Sequence, residues 1–132
     1  MKSAIKVLAI LLFISIGCKA QNDDVKKDVE TKKAKVTFVE LGSVNCIPCK
    51  QMQPVMKAIE EKYGDQVEVI FHDVWKQEEK HFAQDFGIKL IPTQVFLDEK
   101  GKEFHRHEGF YPEEAIDEVL QSKGLKPINK EG

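Results

Sequence analysis

Between Lys35 and Gly124 the sequence switches repeatedly between a two-residue and a 3.6-residue hydrophobic period, which constrains the fold more than any other feature. Lys35–Leu41 (KVTFVEL) and Val67–Val74 (VEVIFHDV) are β-branched and aromatic, and read as strands. Between them, Gly42–Asn45 reads as a loop and Pro48–Tyr63 as a helix. That helix has Met52, Val55, Met56 and Ile59 at helical spacing and Gly64 as its stop. Lys76–Phe86 reads as a charged helix closed by Gly87, and Pro92–Leu97 as a third strand. Asp98-Glu99-Lys100-Gly101 reads as a hairpin turn into a fourth strand, Lys102–His107. Pro112–Ser122 reads as an amphipathic helix with Ala115, Ile116, Val119 and Leu120 inward, and Gly124 beyond its end.

The resulting order, β-α-β-α-β-β-α, predicts a three-layer α/β/α domain with a central four-stranded mixed sheet. Strands joined through helices are expected parallel, with the final hairpin adding an antiparallel edge. About 98 residues from Lys35 onward suffice to cover both faces of such a sheet with three helices. The chain of 132 residues is one domain's worth, and no internal repeat is present.

Residues 1–20 read as a secretory signal. Lys2 and Lys6 precede an apolar run from Val7 to Ile16, too short for the roughly 20 residues of a bilayer span, and small residues come directly after it. Ser15-Ile16-Gly17-Cys18 resembles a bacterial lipobox, which would make Cys18 the lipidated first residue. Cleavage after Ala20 is the alternative. Residues 21–34 are polar and too poor in apolar groups to offset their ordering entropy, so they read as a tether; residues 125–132 read as a C-terminal tail. The expected location is outside the cytoplasm, as a lipoprotein facing a bacterial periplasm or as a soluble periplasmic protein. Without the signal the net charge falls from −2 to about −5, and there is no basic stripe, so nucleic acid is not an expected partner.

Removal of the signal leaves Cys46 and Cys49 as the only thiols. A bridge across three residues closes too small a loop to be a useful staple, so Cys46-Ile47-Pro48-Cys49 points to a reversible dithiol. Zinc sites use the same spacing but need two more ligands, and none of His72, His81, His105 and His107 stands in a paired metal pattern. Cys46 lies where the helix begins, and unpaired N–H groups and the positive end of the helix dipole stabilise a thiolate there. Glu40, six residues earlier, interrupts an otherwise apolar strand and is expected to point under the site.

These residues resemble the thioredoxin superfamily. The likeness rests on Cys46-Ile47-Pro48-Cys49-Lys50 with Pro54 beyond it, on Ile91-Pro92-Thr93, and on Glu40, and it extends over residues 35–124. The resemblance implies a thiol–disulfide oxidoreductase with no organic cofactor and no metal. By that resemblance Cys46 is expected to be the attacking thiol, Cys49 the buried resolving thiol, and Glu40 the base that takes the proton of Cys49. It also implies a cis Ile91–Pro92 bond and a substrate-facing rim of Ile47, Pro48, Ile91, Pro92, Thr93 and Gly109. Four positions depart from the family pattern: Asn45 and Gly42 where aromatics are usual, Ile47 for a glycine, and Phe71 where a lysine often approaches the acid. Trp75 is expected to pack, and His105 and His107 to be solvated.

Protein thiols and disulfides are the expected substrates, apocytochrome c and other extracytoplasmic thiol proteins among them. A membrane thiol carrier is the expected electron donor, and membrane attachment goes through Cys18. Pro48, where oxidising members place histidine, favours a reductase. A disulfide-forming oxidase and a non-enzymatic copper- or zinc-binding module are the alternatives.

Overall fold

The computed structural model describes residues 33–128. The signal segment with Cys18, and the tether as far as residue 32, lie outside the described residues. Within them, the order is β1 (Val36–Gly42), α1 (Ile47–Tyr63), a short 3-10 turn (Gly64–Gln66), β2 (Val67–Asp73), α2 (His81–Asp85), β3 (Thr93–Asp98), β4 (Glu103–Glu108) and α3 (Glu113–Ser122). No helix among them is long and apolar enough to cross a membrane.

Element length sets the strand directions. The 17 residues of α1 span about 25 Å, enough to return the chain along β1, and β1 and β2 pair in parallel from Val36↔Val67 to Gly42↔Asp73. Helix α2 has only five residues, about 7.5 Å, so it cannot carry the chain back down a seven-residue strand of about 23 Å. β3 therefore starts at the end where β2 stops and runs antiparallel to β1, from Leu41↔Thr93 to Val36↔Asp98. This corrects the expectation that only the last hairpin is antiparallel. It also brings the Ile91-Pro92-Thr93 segment to the same end of the sheet as Gly42 and the start of α1. The sheet order is β2-β1-β3-β4.

Alternation along β1 divides the core. Val36 and Phe38 face α1 and α3, joining Met52, Met56, Ile59, Tyr63, Phe96, Ile116 and Leu120 in one buried cluster. Val39 and Leu41 face α2, with Val74, Val95 and the partly buried Phe82 and Phe86. Phe38 and Phe96 stack across the β1–β3 pair with ring centroids 4.8 Å apart. The buried stripe of α1 runs Cys49, Met52, Met56, Ile59, Tyr63, so Cys49 is its first member and Cys46, one turn earlier, stands at its rim. Pro54 lies inside α1 and removes the bond its N–H would have made to Lys50 C=O. At the far end of α1, Lys62 pairs with Glu113 and Asp117 of α3, and Tyr63 OH donates to Asp117 at 3.0 Å.

As far as residue 128, the chain after α3 returns against α1. Leu125 is buried, and Ile128 N–H donates to Lys62 C=O at 2.8 Å.

Candidate active site

Cys46 is the N-cap of α1, with extended backbone angles and no side-chain cap. The loop before it is held in place by Ser43 and Asp73, both buried. Asn45 N–H donates to Ser43 Oγ, Cys46 N–H to Ser43 C=O, and Val44 N–H and Trp75 N–H to the Asp73 carboxylate. Burial works to raise the Asp73 pKa, but these donated bonds, the Ser43 hydroxyl and the nearby Lys76 hold it below its ordinary value. A charged, buried Asp73 thus ties the β2 end to the loop that presents Cys46.

Cys46 and Cys49 form a disulfide, with Cα atoms 5.2 Å apart. Cys49 is fully buried, Cys46 is 8% exposed, and Ile47 between them is 75% exposed. The dithiol therefore meets solvent at Cys46, under a protruding aliphatic side chain. Gly42 allows this geometry: a Cβ placed on it would lie 3.2 Å from both Cβ and Sγ of Cys49. The position where the family usually carries an aromatic thus has no room for one here.

Glu40 is two residues from Gly42 on the same face of β1. Strand rise puts their Cα atoms about 6.6 Å apart, a gap that a glutamate side chain, alone or with one water, spans toward Cys49. Glu40 is completely buried; Gln94 Nε2 donates to its Oε1 at 3.4 Å, while Oε2 has no partner. Burial pushes its pKa up to about 8, against a lowering by the Gln94 bond. Register confirms Phe71 as its β2 neighbour, so no cation approaches it from that strand.

The second segment closes the site from β3. The Ile91–Pro92 bond is cis. Thr93 Oγ1 donates to Leu90 C=O at 2.7 Å, and Gly109 N–H donates to Pro92 C=O at 2.7 Å. Gly109 has φ +89°, a conformation side chains rarely adopt, and a Cβ there would meet open space. Its backbone is therefore reachable from outside.

Two expectations are corrected. Trp75 does not pack; it is 62% exposed in the turn after β2. His105 and His107 are not simply solvated: β4 register places them on the α1–α3 face, where His105 Nε2 bonds Tyr111 OH at 2.9 Å and His107 bonds Gln94 Oε1. Sequence reasoning also missed the collar. Among the described residues six large apolar side chains are exposed, and five of them, Val44, Ile47, Trp75, Leu90 and Phe110, lie at the site end of the sheet. The available signal was their common position next to strand ends on that side, four in loops and Ile47 at the start of α1. Among the described residues, no group of three or more His, Cys, Asp and Glu side chains is placed to hold a metal ion.

A Thioredoxin-like domain pattern matches residues 21–124. Thioredoxin Y from rice (Oryza sativa subsp. japonica) is 27% identical over 83% of this chain and 63% of its own length, so this chain spans less than two thirds of that relative. Thioredoxin of Bacillus subtilis (strain 168) is 32% identical over 64% of this chain and 79% of its own. Among solved structures, a thioredoxin from Nicotiana alata is 31% identical with TM-score 0.59, covering 70% of this chain and 76% of that one. The fold is the thioredoxin fold. An accessible cysteine at a helix start, bonded to a buried partner above a buried carboxyl, agrees with these likenesses, and the chain belongs to the thioredoxin-like family of thiol–disulfide oxidoreductases.

Proposed function

We propose that this chain is a reductase of protein disulfides working outside the cytoplasm, with Cys46 as nucleophile, Cys49 as resolving thiol and Glu40 as its base. The observation that carries the mechanism is the unpartnered, fully buried Oε2 of Glu40 on the strand face that Cys49 covers. In the reduced enzyme, the Cys46 thiolate attacks one sulfur of a substrate disulfide, forming a mixed disulfide and releasing the first substrate thiolate. Ionised Glu40 takes the Cys49 proton, and the Cys49 thiolate then attacks Cys46 Sγ. This re-forms the Cys46–Cys49 bond and expels the second substrate thiolate, which is protonated from Glu40 or solvent. Two electrons pass from dithiol to substrate. A carboxyl titrating near 8 is a matched acceptor for a thiol of ordinary pKa about 8.5.

The apolar collar supports a protein substrate, since an unfolded or extended segment presents apolar side chains beside its cystine. Ile47, Pro48, Ile91 and Gly109 form the accessible rim against which that segment lies, while Pro92 and Thr93, both buried, shape it from beneath. The reducing direction is supported by Pro48, which leaves no histidine at that position to stabilise the Cys46 thiolate and with it the reduced form. The exported location, anchoring through Cys18 and a membrane thiol donor rest on residues 1–20.

The test is the midpoint potential of the pair in graded dithiothreitol buffers, with insulin reduction as the activity. A value near the thioredoxin level of about −270 mV with insulin cleavage supports the proposal; a value near about −120 mV makes the chain an oxidant.

A further inference from the structure

One row of side chains crosses all four strands on the face that α1 covers. Register aligns Phe71, Glu40, Gln94 and His107 on successive strands. Gln94 is completely buried. Its Nε2 donates to Glu40 Oε1 at 3.4 Å, and its Oε1 faces His107 Nδ1 at 3.0 Å. The His107 ring is stacked on Tyr111, centroids 3.9 Å apart and planes within 6°, and Tyr111 OH is in turn bonded to His105 Nε2. The imidazole is thus clamped in plane and in position.

A buried amide can face Glu40 in two ways. With its NH2 toward the carboxyl it donates, which favours the ionised form; with its oxygen toward the carboxyl it accepts from the protonated form. With the amide in this orientation, Gln94 Oε1 can only accept, and His107 Nδ1–H is the donor of the short contact. An Nδ1–H at that place forbids the flipped amide, which would set two donors against each other.

We propose that Gln94 and His107 are positioning residues that hold Glu40 ready to accept the Cys49 proton, a role that rests on Glu40 being the base of the resolving step. His107 acts through Gln94 and touches no reacting atom: it fixes the amide, and the amide fixes Glu40 Oε1, leaving Oε2 free on the same carboxylate. The other titratable groups of the strands on this face are Asp73 of β2, Asp98 of β3 and His105 of β4, with Tyr111 arriving from the loop after β4 and Cys46, Cys49 and Tyr63 from α1. Arg106 and Glu108 alternate to the opposite face, and Asp73 is already committed to loop N–H groups. None of these replaces the Gln94 bond at Oε1.

The test uses the chain with Glu40→Gln, Gln94→Leu, His107→Phe and His107→Asn variants. Two quantities are read: the Glu40 carboxyl titration by carbon NMR in the disulfide form, and the pH profile of single-turnover disulfide reduction by the dithiol form. His107→Phe keeps the stack on Tyr111 but lacks the donor; His107→Asn restores an N–H near Nδ1. Gln94→Leu and His107→Phe are expected to move both midpoints up by about half to one pH unit, slowing turnover at pH 7 about three- to tenfold. His107→Asn is expected to return both toward wild type, a rescue that a merely structural role would not produce. If neither midpoint moves in Gln94→Leu and His107→Phe while Glu40→Gln still slows turnover, the positioning roles are refuted and Glu40 stands as base. If Glu40→Gln leaves the rate and profile unchanged, the base assignment falls, and the positioning roles with it.

Discussion

Replacing Glu40 by glutamine removes a single titrating group from the interior, and the consequence is a change in how stability depends on pH. In the folded chain the Glu40 pKa is about 8, against an ordinary 4.5. Between those values the folded state holds a proton that the unfolded state has lost. Stability from this group is therefore fully present below the unfolded value, declines as pH rises, and stops declining above about pH 8. Integrated from pH 6 to pH 9, the wild type should lose on the order of 2–3 kcal/mol that Glu40→Gln does not. The amide brings its own cost, because its NH2 enters a site where Oε2 has no partner, but that cost does not vary with pH. Urea unfolding of both disulfide forms at pH 6, 7, 8 and 9, monitored by far-ultraviolet circular dichroism, gives the difference directly. Trp75 is too exposed to report well by fluorescence. With a urea slope of about 1–3 kcal/mol per molar, the two midpoints should separate by a further ~1–2 M across the series. A gap that stays constant from pH 6 to 9 would show that Glu40 is not a buried acid of raised pKa, and its match to the Cys49 thiol as proton acceptor would be lost.

Cys49→Ser should accumulate a mixed disulfide between Cys46 and substrate, visible as a reductant-sensitive adduct by mass spectrometry, whereas Cys46→Ser should form none and reduce nothing. Gly42→Ala should cost about 1–2 kcal/mol, since overpacking against Cys49 outweighs the backbone gain of alanine; thermal unfolding no lower than wild type would contradict the 3.2 Å approach. Tyr63→Phe removes the hydroxyl bond to Asp117 and should lower stability by roughly 1 kcal/mol while leaving disulfide reduction unchanged. Fatty-acid labelling in a bacterial host should depend on Cys18 and vanish in Cys18→Ser; label that persists in the variant would exclude anchoring there.

The strands and the two long helices were legible because their apolar periods are local. Cys49 and Glu40 were legible for the same reason: each lies on a buried stripe whose neighbours are only three or two residues away. The features that escaped depend on distance along the chain. Gln94 and Glu40 are 54 residues apart, and no local pattern marks that pair. His105 and His107 alternate along β4 as a solvated edge would. Tyr111, arriving from the next loop, stacks on both rings and partly covers their face. Trp75 was misjudged because hydrophobicity predicts burial, whereas the Asp73 side chain takes its N–H into a turn that swings the ring out. The antiparallel β3 escaped because charge made Lys76–Phe86 look like one long helix. Only His81–Asp85 is helical, and the shorter element sets the direction of the next strand.

Pro54 has a mechanical consequence. Each catalytic cycle must take two sulfurs on the first turn of α1 from bonding to non-bonding separation and back. The segment from Pro54 to Tyr63 is fastened to the core by Met56, Ile59 and Tyr63 and, through Lys62, to α3. With the rung between residues 50 and 54 missing, the turn bearing Ile47–Lys50 is coupled to that anchored body by one link fewer. The missing rung lowers the cost of small adjustments in the leading turn as the sulfur pair opens and closes, while the trailing segment holds the hydrophobic layer in register.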